Sequence, residues 1–124
     1  MSKNTELDIL PLPFLSETEH PTLIAGPCSA ETLEQVLHTA HELKQMGCRV
    51  FRAGVWKPRT KPGGFEGNGC KALPWILEAK RQTGMLTAVE VATPEHVEQA
   101  VKYEVDILWI GARTTTNPFA VQAI

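Results

Sequence analysis

The stretch MLTAVEVATPEHVEQAVKYEVDILWIG, residues 85–111, decides the fold that the sequence predicts. Its two apolar runs, residues 85–91 and 106–111, have the length and composition of buried strands. Between them, Thr93 can cap a helix whose first position is Pro94, and the apolar residues that follow recur at helical spacing. A strand, a helix and a second strand in this order predict a parallel βαβ unit.

The same alternation of strands and helices extends towards the N-terminus. Two further apolar runs, residues 22–26 and 48–53, predict two earlier strands. Between them, apolar residues at helical spacing predict a helix that Ser29 begins as its cap and Gly47 ends. A loop with several prolines and glycines follows the second strand, and a helix over residues 70–83 leads to the third.

The C-terminal segment NPFAVQAI, residues 117–124, completes a fourth unit as a helix with Asn117 and Pro118 at its start. The sequence therefore predicts an α/β protein, and two architectures fit: a doubly wound open sheet or part of a (β/α)8 TIM barrel. No GxGxxG motif follows the first strand, which argues against the dinucleotide-binding version of the open sheet. A full barrel needs about 250 residues, so this chain would supply the first four β/α units, a half barrel. It also ends within a helical pattern, as a piece of a larger barrel would.

Composition and charge exclude several classes of protein. In 124 residues, 43% hydrophobic and 21% charged residues are typical of a globular domain, and a net charge of −2 argues against nucleic-acid binding. No apolar run approaches the roughly 20 residues of a membrane span. Three cysteines without a CxxC pair argue against a disulfide framework and a structural zinc site. Residues 1–21 read as an acidic N-terminal extension unlike a signal peptide, so we expect a cytoplasmic protein whose barrel segment covers residues 22–124.

Positive charge gathers where the predicted strands end. FRAGVWKPRTKPGGF, residues 51–65, holds four cations although the chain is acidic overall. The carboxyl ends of parallel strands meet at one edge of a sheet, so these cations and the arginine after the fourth strand would share one face. Such a cluster predicts an anion-binding site, most simply for phosphate. Its members are Arg52, Lys57, Arg59, Lys61 and Arg113.

Most other polar or reactive residues have a structural interpretation. Cations on a loop are usually solvated, but Arg52 and Glu90 each interrupt an apolar strand, where a charge needs a partner or a ligand. Cys28 taken alone is more often an inert hydrophobe than a ligand. Trp109 is predicted to pack against the helices. The histidines predicted at the surface are His20, His38, His41 and His96.

Four long motifs occur in order along the chain: IAGPCSAE, FRAGVWKPRTKPGGFEG, EVATPEHV and DILWIGARTTTNPF. They span about residues 22 to 122, nearly the whole chain. In these motifs the sequence closely resembles 3-deoxy-7-phosphoheptulonate (DAHP) synthase, the first enzyme of the shikimate pathway and of aromatic amino acid biosynthesis. The variety it resembles is the barrel-only form, which is sometimes fused to a chorismate mutase. The resemblance implies a (β/α)8 barrel of which this chain is the N-terminal half.

The resemblance also implies a reaction and its ligands. DAHP synthases condense phosphoenolpyruvate with erythrose 4-phosphate and use a divalent metal ion, such as Mn, Fe, Zn or Co. The metal polarises the aldehyde, the enol carbon attacks it, water adds to the resulting cationic carbon, and inorganic phosphate leaves. Two phosphorylated substrates brought together need fixed cations to offset their repulsion, which agrees with the cluster at the strand ends.

Site residues follow from the same motifs. Cys28 of GPCS resembles the metal ligand of the family, and the other ligands, a His, a Glu and an Asp, would lie outside this chain. Glu90 resembles a catalytic carboxylate that positions the attacking water. The groups that resemble the phosphoenolpyruvate site are Arg52, Lys57 and Arg113, with Lys57 also catalytic. The segment that resembles the erythrose 4-phosphate site is Lys57, Pro58, Arg59 and Thr60.

Two other functions stay open. The sister family, 3-deoxy-octulosonate 8-phosphate synthase, has an ANRS-type segment where this chain has KPRT, which favours erythrose 4-phosphate over arabinose 5-phosphate. A half barrel can also be a non-catalytic module that binds one phosphorylated metabolite. Because three of the implied metal ligands lie elsewhere, we expect the isolated chain to be inactive. Because four strands that do not close leave unpaired edges, we expect a homo-oligomer.

Overall fold

The computed structural model describes residues 10, 12, 21–56 and 67–124. Four strands form one sheet in which every neighbouring pair is parallel. Their order across the sheet is β1-β2-β3-β4, the order of the sequence, without the reversal that defines a doubly wound sheet. The strands are β1 (Ile24–Ala25), β2 (Val50–Arg52), β3 (Leu86–Val91) and β4 (Ile107–Ile110). The prediction of successive β/α units with barrel-type strand order is confirmed.

Helices follow the strands as the sequence predicted. Each of the first three connects one strand to the next, and two short helices follow β4. A 3₁₀ turn (Gly69–Ala72) precedes the second helix, so Pro74 falls in the first helical turn, where its missing N–H is tolerated. The helices are α1 (Leu33–Gln45), α2 (Leu73–Thr83), α3 (Pro94–Lys102), α4 (Ala112–Thr115) and α5 (Pro118–Ala123).

The caps of these helices match the prediction in two cases and differ in one. Thr93 caps α3, and the Asn117 side chain accepts hydrogen bonds from two backbone N–H groups of α5. The Ser29 cap is wrong, because α1 begins later and Thr32 caps it by accepting a 3.1 Å bond from the Gln35 backbone. Helix α4, a single turn, was not predicted, since four residues carry no periodicity.

The hydrophobic core lies between the sheet and the helices. Alternate strand residues such as Phe51, Val89 and Val91 belong to it, together with apolar residues of α1, α2 and α3. Side chains alternate between the two faces of a strand, so Arg52 and Glu90 lie on the face away from the helices. This face carries the polar groups of the carboxyl edge of the sheet.

The amino ends of β3 and β4 are joined by a network around Asp106. Its carboxylate accepts hydrogen bonds from the Thr87 backbone N–H at 2.8 Å and from the Thr87 hydroxyl at 3.3 Å. Lys80 of α2 forms a 3.0 Å salt bridge with the same carboxylate and donates to the Glu104 carbonyl at 2.7 Å. The network ties α2 to the starts of two strands.

Among the described residues, no helix is long and apolar enough to cross a membrane.

Candidate active site

A cavity of about 260 Å³ opens at the carboxyl edge of the sheet. Residues at or just after the carboxyl ends of all four strands contribute to its wall, as expected where active sites of parallel α/β barrels lie. Four of the predicted site residues are brought together here. Three further residues that were not predicted to belong to the site also line the cavity. The lining residues are Cys28, Arg52, Gly54, Trp56, Glu90, Trp109 and Arg113.

The remaining predicted site residues lie outside the described part of the chain. These are Lys57, Pro58, Arg59, Thr60 and Lys61. The chain on either side of them is described: the Gly69 backbone N–H donates to the Val55 carbonyl at 3.0 Å. Val55 and Gly69 are therefore neighbours, and Trp56 beside them lines the cavity.

Arg52 is the last residue of β2, and its guanidinium is held by two contacts. One nitrogen donates a 2.8 Å hydrogen bond to the Pro27 carbonyl, and the guanidinium carbon lies 5.8 Å from the centre of the Trp109 ring. A guanidinium has five N–H donors, and the Pro27 bond uses only one of them. The charge is thus oriented at the cavity with donors left for an anion.

Trp109 does not pack against the helices as the sequence predicted. It is the register partner of Glu90, so both side chains lie on the face of the sheet away from the helices. The core position belongs to its neighbour Leu108, which packs against the buried cluster. In a strand that is apolar at every position, the sequence does not show which alternate residues face the core. Here the pairing of β4 with β3 decides it.

The loop that carries Cys28 is fastened closely to the end of β2. A Cβ at Gly54 would collide with the Cys28 carbonyl oxygen, so only glycine allows this approach of the two backbones. The Ala30 N–H donates to the Gly54 carbonyl at 2.9 Å, and the Asn68 side chain donates to the Ala30 carbonyl at 2.7 Å. Asn68 was missed in the sequence, where a polar residue between two glycines has no distinguishing pattern.

Glu90 is half-buried in β3 beside the residue that begins α4. A Cβ on Gly111 would collide with the Glu90 carboxylate, so a glycine leaves the room that this side chain occupies. Among residues 21–56 and 67–124, Glu90 forms no salt bridge. The carboxylate is therefore available to accept hydrogen bonds from a molecule in the cavity.

Arg113 reaches the cavity from α4. The Gly111 carbonyl accepts 3.0 Å hydrogen bonds from the N–H groups of Thr114 and Thr115, which closes this single helical turn around Arg113. Arg113 is exposed, and it lines the same cavity as Arg52. Two guanidinium groups, one from β2 and one from α4, thus face one space.

His96 differs from its prediction as a surface residue. It is half-buried, and its ring stacks on Trp56 with centroids 4.1 Å apart and planes within 10°. Burial lowers the pKa of the imidazole from its ordinary value, although the Glu95 carboxylate acts in the opposite direction. By contrast, His38 and His41 are exposed as predicted, and His20 lies outside the described residues.

The described residues supply two metal-type donors at the cavity, the Cys28 thiol and the Glu90 carboxylate, rather than a complete metal site. Cys28 is exposed there, and a thiolate suits the softer divalent ions. Nowhere in residues 21–56 and 67–124 do three His, Cys, Asp or Glu side chains form a group that can hold a metal ion. A divalent ion at Cys28 would need ligands from beyond this set.

Comparison with known proteins gives a family match and similar relatives. A sequence model of the DAHP synthetase I family matches residues 15–124. Phospho-2-dehydro-3-deoxyheptonate aldolase of Thermotoga maritima is 42% identical over 96 residues, which cover 77% of this chain and 28% of that protein. Its crystal structure superposes with a TM-score of 0.70 over the same shares of the two chains.

A second enzyme name also occurs among the relatives. The 2-dehydro-3-deoxyphosphooctonate aldolase of Caulobacter vibrioides is 33% identical over 101 residues, 76% of this chain and 35% of that protein. The chain thus spans about a third or less of the length of these curated relatives.

Proposed function

The chain belongs to the DAHP synthetase I family, and from that premise we propose that the protein condenses phosphoenolpyruvate with erythrose 4-phosphate to DAHP and inorganic phosphate. The observation that carries the proposal is the cavity at the carboxyl edge of the sheet. Two arginines, a carboxylate and a thiol from four different strand ends surround it. This combination suits a small ligand with two anionic groups that reacts with water and an electrophile.

Arg52 and Arg113 hold the phosphate and carboxylate of phosphoenolpyruvate in this proposal. Guanidinium groups bind such oxyanions through paired N–H donors. The Pro27 carbonyl and the Trp109 ring orient Arg52 before any ligand arrives, so little reorganisation is needed on binding. Fixed positive charge also offsets the repulsion between the two phosphorylated substrates.

The KPRT segment binds the second substrate in this proposal, on the strength of its motif. Lys57 contacts both substrates, and Pro58, Arg59 and Thr60 line the site of erythrose 4-phosphate. Support comes from sequence position: Lys57 directly follows Trp56, which lines the cavity. The four residues themselves lie outside the described residues.

Glu90 positions the water that adds to the former enol carbon. Its carboxylate can accept a hydrogen bond from water, and no salt bridge within the described residues competes for it. Arg52 and Arg113 would hold the adjoining anionic groups of phosphoenolpyruvate in the same cavity. Positioning of this kind lowers the entropic cost of the addition step.

Cys28 is the metal ligand that this chain contributes in the proposal, and the remaining ligands come from outside the described residues. A divalent ion bound there supplies Lewis-acid polarisation of the aldehyde. The close backbone approach of Gly54 and the side-chain hydrogen bond from Asn68 to Ala30 keep the Cys28 loop at the cavity edge.

The test uses the protein expressed from its full reading frame. We expect phosphate release from phosphoenolpyruvate with erythrose 4-phosphate in the presence of manganese, and loss of it in Cys28→Ala. An exposed arginine at the far end of α2, Arg81, gives the control variant Arg81→Ala. Turnover with arabinose 5-phosphate alone would favour the octulosonate reaction, which the Caulobacter vibrioides relative suggests. Phosphoenolpyruvate binding without turnover would favour the non-catalytic module.

The other sequence-based expectations belong to the same proposal. They are a homo-oligomeric protein in the cytoplasm that binds neither nucleic acid nor membrane, and an inactive isolated 124-residue chain. Sedimentation of the full protein at micromolar concentration tests whether it is a homo-oligomer. A phosphate-release assay on residues 1–124 alone tests the last, and turnover above a Cys28→Ala control would overturn it.

A further inference from the structure

The Trp56–His96 pair is a feature of the cavity wall that the motifs did not predict. Trp56 lines the cavity directly, while His96 lies in the first turn of α3 and does not. We propose that His96 is a positioning residue, whose imidazole supports the Trp56 ring and so sets the shape of the cavity wall. The effect of His96 on substrate binding rests on the proposed function. Its support of the Trp56 ring does not.

The stacking geometry supports the proposal. Centroids 4.1 Å apart and planes within 10° place the two rings in full contact. Trp56 also packs against the edge of the buried apolar cluster, and Gly69, near the indole Nε1, leaves space beside the ring. A ring on a loop has several rotamers, and a flat partner behind it favours one of them.

Hydrogen bonds fix the orientation of the imidazole. The Ala92 backbone N–H donates to Nδ1 at 3.1 Å, and a backbone N–H can only donate, so Nδ1 carries a lone pair and Nε2 the proton. The His96 backbone N–H in turn donates to the Thr93 hydroxyl at 3.2 Å. The pair of bonds resembles the cap that Glu or Gln makes at the third helical position, except that the imidazole accepts from the residue before the N-cap Thr93. The imidazole is therefore held in one rotamer and one tautomer.

The surroundings of His96 favour its neutral form. Burial disfavours the imidazolium, and the charged group that acts against it is Glu95 on the same helix. From the loop after β2 the ring faces the uncharged indole of Trp56, and from the end of β3 the amide of Ala92. A proton on Nδ1 would point at the Ala92 N–H, so protonation breaks this bond and turns the ring away from Trp56.

Two substitutions separate ring support from helix capping. His96→Phe keeps a flat ring for Trp56 but removes the acceptor for Ala92. His96→Gln keeps an acceptor at the capping position but removes the ring. If His96 supports Trp56, the His96→Phe variant keeps the position of Trp56 in the cavity wall and His96→Gln does not. If His96 only caps the helix, His96→Gln resembles wild type and His96→Phe does not. His41→Gln, on the exposed face of α1, is the matched control.

The structural readout is the fluorine NMR spectrum of the full-length protein labelled with 5-fluorotryptophan. Loss of a signal in Trp56→Phe assigns the resonance. We expect the Trp56 resonance to move with pH with a midpoint below 6.5, to lose this response in His96→Phe, and to shift at all pH values in His96→Gln. A Trp56 resonance that ignores pH and all His96 variants would overturn the proposal.

The kinetic readout is the KM for phosphoenolpyruvate. His96→Gln should raise it by about two- to tenfold, the range of one aromatic pair, with a smaller change in kcat. His96→Phe and His41→Gln should stay near wild type. A wild-type KM in Gln with a raised KM in Phe would make His96 a cap and overturn the proposal. If the wild-type protein shows no turnover, the proposed function fails, and the Trp56 resonance alone decides the role of His96.

Discussion

The two ends of the sheet handle charge in opposite ways. At the amino end, Lys80 and Asp106 neutralise each other, and the remaining carboxylate capacity accepts from Thr87. At the carboxyl end, Arg52 is held by a carbonyl and a ring, and Glu90 forms no salt bridge within the described residues. Both ends contain charges next to a buried sheet, but within residues 21–56 and 67–124 a salt bridge forms only at the amino end.

The difference separates stability from function. Charges whose hydrogen bonds are satisfied within the protein contribute to folding and have little capacity left for a ligand. Charges held by a backbone carbonyl or an aromatic face keep most of their donors, so they bind anions strongly at some cost in stability. The carboxyl end of parallel strands is also where barrel enzymes carry their catalytic groups. Variants at the carboxyl end should therefore lower catalytic activity, and variants at the amino end should lower the free energy of unfolding.

The largest effect is expected at Arg52. Arg52→Ala should lower kcat/KM for phosphoenolpyruvate by about a hundred- to a thousandfold, since it removes an oriented donor set from the reacting ligand. Steady-state phosphate release measures kcat/KM. The control variant Arg81→Ala, in the last turn of α2, should leave it near wild type. A variant that keeps its activity but unfolds more easily would remove the distinction between the two ends.

The next effect concerns stability at the amino end. Asp106→Ala should lower the free energy of unfolding by about 2–3 kcal/mol, because it leaves the Thr87 N–H without its acceptor and Lys80 without its counter-ion. The Lys80 and Asp106 side chains are only 28% and 22% exposed, so solvent compensates the loss poorly. Urea unfolding followed by circular dichroism measures it, with Glu98→Ala on the exposed side of α3 as control. A large loss of kcat with unchanged unfolding would contradict this assignment.

A smaller effect on activity is expected at Gly111, with Gly47 as the control position. Gly111→Ala should lower kcat by about tenfold, because the new Cβ displaces the Glu90 carboxylate from its position in the cavity. Gly47→Ala is the matched variant: its backbone is left-handed, with φ of +86° and open space around it. It should cost about 1 kcal/mol of stability and leave kcat unchanged. Equal kcat values in the two variants would argue against a positioned Glu90.

The smallest expected effect is the pH dependence contributed by His96. Its pKa in the folded protein lies below the ordinary 6.5, so on acidification the unfolded chain takes up the proton first. The free energy of unfolding should therefore fall as the pH drops below about 6.5 and level off below the folded-state pKa. Urea unfolding between pH 7.5 and 5 measures it, and His96→Phe should remove this part of the slope. A steeper slope in His96→Phe would mean that burial does not hold the imidazole neutral.

Local patterns predicted most of the architecture. The alternation of apolar strands and helices, with Thr93 and Asn117 at helix starts, anticipated four parallel β/α units, because caps and periodicity depend on residues within one turn of each other. The strands proved shorter than predicted: β1 spans only Ile24–Ala25. A run of apolar residues does not reveal where strand pairing stops.

The sequence by itself determined which residue types stand at the strand ends, and hence that Cys28, Arg52, Glu90 and Arg113 approach one cavity. Parallel strands bring their carboxyl ends to one edge whatever their neighbours are. The tertiary structure alone decided the side of the sheet that Trp109 faces, the stacking of His96 on Trp56, and the close fit of Gly111 to Glu90. These contacts join segments far apart in the chain, and they depend on strand register and packing, which no local pattern encodes.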